Sequence, residues 1–208
     1  MSTLDSFLPY IRPWAPGVPD QVAYKNIRLA VIEFCERTRL WRYEDDYDVT
    51  AEECNGGIFT PNGSILHDIE VVMMDGHELR PSSTRDLDRT QPGWRTGDLG
   101  TGLPRYYTQI EQNTLRIVPA YAGHVYVCLR LKPAADSMDV PDFIANEYAE
   151  AIAWGALGRL LLIPGQSFTS PELGTFYAAQ FTTKIDRLMA KGSTGQQNAP
   201  KRSRASFY

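Results

Sequence analysis

The segment PDFIANEYAEAIAWGALGRLLLIPG, residues 141–165, decides the fold. Apolar residues lie on almost every side of a helix that would begin near Pro141 and end at Pro164-Gly165, which predicts a helix buried on several sides. Its many small side chains let neighbouring backbones approach closely. Four of them are predicted to form a contact between subunits: Ala149, Ala153, Gly155 and Ala156.

Two further helices are predicted on either side of this segment. One runs from Asp20, a suitable N-cap, to about Trp41, because apolar residues recur there at helical spacing. The other begins at Ser170-Pro171-Glu172 and continues to about Gly192. Sequence adjacency favours an antiparallel hairpin of the last two helices, with the first packed against it. Residues 20–43 and 134–190 are therefore expected to form a helical bundle.

Residues 44–133 are predicted to form a β-rich insertion. Asp75-Gly76 indicates a hairpin turn, and the alternation from Val125 to Leu131 is typical of a half-buried strand. Residues 80–105 are interpreted as a long loop, and such loops are usually functional or disordered. Trp94 and Arg95 within it are the candidate contacts with another protein, since an aromatic beside Pro92-Gly93 can act as an anchor.

The first 19 residues are predicted to form an extended arm. Prolines at positions 9, 13, 16 and 19 disfavour a helix and favour polyproline-like geometry. Tyr10 and Trp14 lie between these prolines and need a surface to cover them. Two alternatives remain open, which are packing on the arm's own domain and contact with a neighbouring subunit.

The last 18 residues, 191–208, form a basic tail. They contain four basic residues and no acidic ones, so a chain of net charge −4 has a body of charge −8. The acidic body argues against a dedicated nucleic-acid binder, which would usually be basic. Tail residues 192–198 have the composition of a disordered segment, because they have almost nothing to bury.

The sequence predicts no catalytic, metal or cofactor site. The three histidines form neither an HxH nor an HExxH pair, and there is no CxxC. His67-Asp68 with Cys54 or Cys128 is a weak nucleophile–base candidate, and core thiols are the preferred interpretation. The acidic run from Glu44 to Asp48 is interpreted as a solvated turn, because it lacks the spacing of a calcium loop.

No secretory signal or membrane span is predicted. The chain does not begin with a basic region followed by an apolar one. The most apolar stretch, Ala151 to Ile163, is interrupted by Arg159 and is shorter than the roughly 18–20 residues that a span needs. Hydrophobic residues make up 43% of the chain, which is enough for a buried core. The three cysteines are widely separated, which fits reduced thiols.

Several segments, taken in order, resemble the head-to-tail adaptor (connector) proteins of tailed bacteriophages. The resemblance runs from about Phe7 to about Ile185. The segments that carry it are FLPYIRPWAPGVPD, IEFCERTRLW, NTLRIVP, PDFIANEYAEAIAWGALGRLLLIPGQ and PELGTFYAAQF. It implies a non-enzymatic virion protein at the head–tail junction, made and assembled in the host cytoplasm. The implied fold is a helical bundle with a β-rich insertion.

The resemblance also implies partners. Self-association into a ring of about twelve copies is expected beneath the portal protein. The ring would extend the channel through which genome DNA passes without specific binding, and would dock the nozzle or tail-tube proteins of the tail. Five tail residues are expected to dock on the portal or on a neighbouring subunit: Lys201, Arg202, Arg204, Phe207 and Tyr208. The alternative function is a DNA-binding or regulatory phage module with a basic tail.

The sequence thus predicts an α+β protein. Its parts are a bundle of about three long helices, a β-rich insertion, an extended N-terminal arm and a basic C-terminal tail. The arm, the small-residue helix, the long loop and the tail are each expected to serve as contact surfaces. A DNA-binding module would use the tail, but it leaves the acidic body and the arm unexplained.

Overall fold

The computed structural model describes residues 1–50, 55–96 and 102–194, which divide into two compact units. Met1–Leu40 and the described residues from Ala135 onward form the helical unit, and Trp41–Ala134 forms the β unit. The α-helices of the described residues are α1 (Leu8–Ile11), α2 (Asp20–Thr38), α3 (Thr84–Thr90), α4 (Asp142–Glu147), α5 (Ala149–Leu160) and α6 (Pro171–Thr194). The strands are β1 (Ser2–Thr3), β2 (Arg42–Val49), β3 (Asn55–Gly57), β4 (Ser64–Met74), β5 (His77–Glu78), β6 (Arg80–Pro81), β7 (Tyr106–Thr108), β8 (Thr114–Val118), β9 (Gly123–Pro133) and β10 (Asp139–Val140).

The core of the helical unit lies where α2, α5 and α6 pack against one another. Each of the three helices contributes apolar residues at helical spacing, which places them on one side of the helix. From α2, Ile27, Val31 and Phe34 are fully buried. Helices are confirmed at both predicted starts, with α2 beginning at Asp20 and α6 at Pro171. Asp20 is the first helical residue and Pro19 is the N-cap, and α2 ends at Thr38, before the predicted end at about Trp41.

The predicted bundle of about three long helices is wrong. The described residues form six α-helices and three sheets, and the helix predicted from Pro141 is divided at Tyr148 into α4 and α5. Tyr148 departs from helical geometry with φ −126° and ψ 13°, and its ring packs on Phe34 with centroids 5.1 Å apart. The residues around Tyr148 include neither proline nor glycine, so no local signal marks the break. The break coincides instead with the tertiary packing of the Tyr148 ring.

The predicted extended arm is also wrong. Leu4–Phe7 forms a 3₁₀ turn that leads directly into α1, and Leu4, Phe7 and Ile11 are fully buried. Pro9 falls in the first turn of α1, where a proline is tolerated because its missing N–H has no helical acceptor. Before the turn, β1 pairs with β10 of the same unit. The segment therefore packs on its own unit.

The described residues of the β unit form two four-stranded sheets. One has the order β2-β9-β4-β5 and is antiparallel throughout, and the other has the order β3-β8-β7-β6 with β6 and β7 parallel. The predicted hairpin at Asp75-Gly76 is confirmed. Both of its turn residues adopt the left-handed region, with φ 46° and 80°, as a tight two-residue hairpin requires. The strand predicted from the alternation of Val125 to Leu131 is confirmed within β9.

Two interpretations of this unit are corrected. The acidic run Glu44–Asp48 is not a solvated turn but part of β2, because each of its residues pairs with β9 and this pairing overrides the low strand propensity of aspartate. The predicted long loop 80–105 contains β6 and α3. Ser83 caps α3 by accepting a hydrogen bond from the backbone N–H of Asp86 at 3.1 Å. Residues 97–101 of that loop lie outside the described residues.

Candidate interaction surfaces

An exposed apolar patch lies where the N-terminal segment meets α6, and we call it the aromatic surface. The Trp14 ring contacts the Tyr177 ring edge-on with centroids 5.8 Å apart, and Phe176 lies 5.5 Å from Tyr177. Trp14 is 52% exposed and Phe176 is 54% exposed, whereas Tyr177 is buried beneath them. Exposed Leu173 lies one helical turn before Phe176, so it adds to the same face. Contiguous apolar patches of this kind mark protein interaction sites.

The predicted interface residues Tyr10 and Trp14 are both available for contact. Tyr10 is 47% exposed although its neighbours Leu8 and Ile11 are buried. One side of the segment is therefore buried, and the Tyr10 and Trp14 rings lie on its exposed side. Contact of these two rings with a neighbouring subunit stays a prediction.

A second apolar surface lies on the outer side of α2, and we call it the α2 groove. Tyr24, Leu29 and Ile32 line it, together with Gln21, Lys25, Arg28 and Ala135. Arg28 is held in place because its guanidinium donates to the carbonyls of Ser137 at 2.7 Å and Ala135 at 2.9 Å. Leu29 is exposed, so the helix presents apolar side chains to solvent opposite its buried face.

The small residues of α5 lie inside the helical unit. Ala149, Ala153, Gly155 and Ala156 are all buried. A Cβ placed on Gly155 would lie 2.9 Å from the Phe181 ring and 3.0 Å from the Ala30 Cβ. These residues therefore let α2, α5 and α6 approach one another within one chain. Their predicted role in a contact between subunits remains untested.

Sequence reasoning missed an ion-pair network that joins the same three helices. Glu33 of α2 accepts from Arg37 at 3.2 Å and also accepts a hydrogen bond from Arg159 of α5. Arg37 donates in turn to Asp186 of α6 at 2.7 Å. The only sequence signal was the i, i+4 spacing of Glu33 and Arg37, which is common on helices. The network fixes how the three helices are rotated against one another.

Trp94 is part of the interior of the β unit. It is 3% exposed and packs with Leu87 and Val118. Its indole N–H donates to Asp88 at 2.8 Å, and the Arg95 guanidinium lies 4.7 Å from the ring centroid. Hydrogen bonds from Arg95 and Trp94 lower the pKa of Asp88. Trp94 therefore orders this segment from within, and a contact of the segment with a tail component stays a prediction.

The outer strand β2 carries an acidic surface, which we call the acidic edge. Glu44, Asp46 and Asp48 alternate with the other residues of the strand, so they lie on one face, and all three are exposed. His124 of β9 lies 2.9 Å from Asp48 and 3.4 Å from Asp46. The hydrogen bond that the His124 ring donates to the Asp48 carboxylate raises the pKa of His124.

A cluster of charged residues ties β2, β9 and β4 together. Glu70 of β4 accepts from Arg42 at 2.6 and 2.7 Å, and Arg130 lies 3.2 Å from it. Burial acts to raise the pKa of Glu70, but the hydrogen bonds from Arg42 and Arg130 outweigh it and lower the pKa. Cys128 lies 3.6 Å from Glu70, and burial raises its pKa to about 11. This thiol is neutral at ordinary pH, which is the opposite of an activated nucleophile.

Residues 2–204 match the family model described as SU10 adaptor protein. The chain belongs to the SU10 adaptor protein family. It therefore has the structural role of a bacteriophage adaptor, which interacts with other head or tail proteins of the phage and is located in the virion. No curated protein matches the chain.

The described residues of the adaptor contain neither a metal-binding cluster nor a membrane-spanning helix. Among residues 1–50, 55–96 and 102–194, no three His, Cys, Asp or Glu side chains are grouped as a metal ion would require. No helix in the same part of the chain is long and apolar enough to cross a membrane. Cys54 of the nucleophile–base candidate lies outside the described residues.

The predicted docking residues of the adaptor's tail fall beyond the part of the chain that the structure describes. They are Lys201, Arg202, Arg204, Phe207 and Tyr208. Their docking on a portal protein or on a neighbouring subunit stays a prediction. The described chain ends in α6, the helix that also carries the aromatic surface near its start.

Proposed function

We propose that this SU10 adaptor protein assembles into a ring between the portal and the tail of the virion, at the head–tail junction. The ring extends the DNA channel and provides the surface on which the tail nozzle or tail-tube proteins dock. The observation that carries this proposal is the family match over residues 2–204, which places the chain among phage adaptors. The ring, the portal and the copy number of about twelve come from the resemblance stated above.

The two apolar surfaces of the helical unit support a ring. A closed ring needs two different patches on each subunit, because the same patch pairing with itself gives only dimers. The aromatic surface around Trp14 and Phe176 and the α2 groove around Leu29 are two such patches, and they share no residue. In the proposed ring, the aromatic surface of one copy contacts the α2 groove of the next.

The charge of the chain supports free passage of DNA. Proteins retain DNA by neutralising phosphates with Lys and Arg, and each such contact adds salt-dependent affinity. The body of the chain is acidic, and the exposed carboxylates of the acidic edge belong to it. The alternative of a DNA-binding module would place its affinity in the 18-residue tail alone.

Charged substitutions on the two patches test the ring directly. Phe176→Asp places a charge in the aromatic surface, and Leu29→Asp places one in the α2 groove. Both residues are exposed, so we expect each variant to keep the fold. Each variant alone should stay monomeric when mixed with portal protein, as measured by light scattering. An equimolar mixture of the two variants retains one intact interface, so it should give dimers and no ring.

The matched control is Ile110→Asp, which alters an exposed apolar residue of the β unit outside both patches. It should assemble like the unaltered chain. Ring assembly by Phe176→Asp or by Leu29→Asp would contradict the assignment of the patches. Thermal unfolding of each variant confirms that loss of assembly does not come from loss of the fold.

A further inference from the structure

We propose that the outer edge of β2 accepts residues 199–208 of a neighbouring copy as an added antiparallel strand. This inference rests on the proposed ring and names the acceptor of the basic tail. It assigns to the acidic edge a strand partner of opposite charge. Strand addition to an exposed sheet edge is a general mode of peptide recognition, in which backbone hydrogen bonds give affinity and side chains give selectivity.

The edge of β2 is suited to such pairing because it is long and because no second strand pairs with it among the described residues. β2 has eight residues and is the outermost strand of its sheet, whereas the other edge strands of the β unit have two or three residues. Within the described residues, β2 pairs only with β9. The side chains of Asp46 and Asp48 are 67% and 88% exposed, so this face is open to solvent.

The charges of the edge make it selective. Glu44, Asp46 and Asp48 place a carboxylate at every second residue along one face. Charged residues on an edge strand repel most strands that would otherwise pair there. A strand with basic residues at the same spacing is attracted instead. His124 contacts Asp46 and Asp48, yet each carboxylate has about four acceptor positions, which leaves room for an arginine.

The tail has the complementary spacing. Arg202 and Arg204 are two residues apart, so in a strand they lie on one face. In one antiparallel register, Arg202 lies opposite Asp48 and Arg204 lies opposite Asp46. The same register places Phe207 opposite Tyr43, which is an aromatic pair of the kind that stabilises strand pairing.

The donor is assigned to a second copy because of the ring. In a head-to-tail ring each subunit presents a donor on one side and an acceptor on the other. The tail and the acidic edge are complementary in charge and can serve as donor and acceptor, and neither belongs to the aromatic surface or to the α2 groove. Tail exchange would thus reinforce each subunit contact. The backbone hydrogen bonds of the added strand would contribute stabilisation beyond the burial of the Phe207 and Tyr208 side chains.

The test measures a peptide of residues 199–208, labelled with fluorescein, against the full-length chain carrying Arg202→Glu and Arg204→Glu. This acceptor has an intact β2 and a tail that does not compete. Anisotropy should show saturable binding that weakens with salt. Adding Asp46→Lys and Asp48→Lys to the acceptor should weaken binding by about tenfold or more, since two ion pairs become repulsive. A peptide with Arg202→Glu and Arg204→Glu should bind a chain that carries Asp46→Lys and Asp48→Lys with its tail unaltered, because the basic tail of that chain is repelled from the altered edge and does not compete.

Matched controls separate strand addition from charge attraction. Asp136→Lys, an exposed acid of the helical unit, should leave binding unchanged. Peptides with Ser203→Pro or Ser206→Pro remove backbone N–H groups of opposite parity. Only one of these groups points at β2, so one proline should abolish binding and the other should not. Equal binding by both proline peptides would overturn strand addition.

The inference is also overturned by absence of peptide binding, by failure of the charge swap, or by tighter binding of the peptide to duplex DNA than to the acceptor. Its failure is distinct from failure of the proposed function, because the peptide assay requires neither the ring nor the portal. Ring formation without peptide binding would overturn only the tail assignment. Peptide binding by a chain that forms no ring would overturn the ring.

Discussion

Gly155 shows how a single residue sets the spacing of three helices. In an exposed helix, replacing glycine by alanine raises stability by up to ~1 kcal/mol. At Gly155 the added Cβ would lie 2.9 Å from the Phe181 ring and 3.0 Å from Ala30, which is closer than side chains pack. We expect Gly155→Ala to lower the free energy of unfolding by about 1–3 kcal/mol, measured by urea denaturation, because overpacking outweighs the gain in helix propensity.

Gly57→Ala is the control for this prediction. Gly57 is exposed at the end of β3, and a Cβ there meets no atom within 4 Å. The control should change the free energy of unfolding by less than about 0.5 kcal/mol, as surface substitutions usually do. Equal effects of the two substitutions would show that Gly155 does not hold the helices together.

At the scale of elements, the N-terminal segment departs most from the sequence prediction, and its packing gives a direct test. Phe7 is fully buried, so Phe7→Ala should lower the free energy of unfolding by about 3–5 kcal/mol through the cavity it leaves. Tyr10→Ala removes an aromatic ring three residues later that is 47% exposed, and it should cost far less. Thermal unfolding of the isolated chain measures both. A small effect of Phe7→Ala would support an extended arm.

Elements with a periodic apolar pattern and a clear start signal were predictable. α2 and α6 begin at Asp20 and Pro171, where a cap, a proline or an acid marks the first turn. The hairpin at Asp75-Gly76 was also predictable from a local signal. Few residue types adopt the left-handed backbone that a tight turn needs, and Asp-Gly is a pair that does.

Elements that depend on tertiary pairing were not predictable. β2 contains four acidic residues within five positions, and only its partner β9 makes it a strand. The strand β4 begins at Ser64, and its pairing with β9 shifts register twice. These irregularities interrupt the alternation by which a sequence would indicate a strand. The break at Tyr148 likewise follows ring packing that no local pattern encodes.

The candidate surfaces were predictable only in part. Tyr10 and Trp14 were named from their place among prolines and are exposed, although the segment that carries them is not extended. Trp94 is buried against Leu87 and Val118, which its place beside Pro92-Gly93 does not indicate, and the contact of its segment with a tail component stays a prediction. The α2 groove was missed, since an apolar residue such as Leu29 on the outer side of an amphipathic helix gives no signal until the inner side is known.

At the scale of the whole molecule, family membership and surface properties point the same way. The SU10 adaptor match covers residues 2–204, so it includes both compact units. In the proposed ring, two different apolar patches of the helical unit form the subunit contacts, and the acidic edge of the β unit accepts the basic tail of the next copy. The proposed adaptor thus uses separate parts of the chain for ring closure and for tail exchange.

The central claim is that this chain forms a ring on the portal. The most direct test mixes the purified chain with portal protein at micromolar concentration and measures the mass of the complex by light scattering, with electron micrographs of the same sample. The expected result is a ring of about twelve chains of 23.4 kDa each, bound to one end of the portal. A chain that stays monomeric and apart from the portal in that mixture would contradict the account.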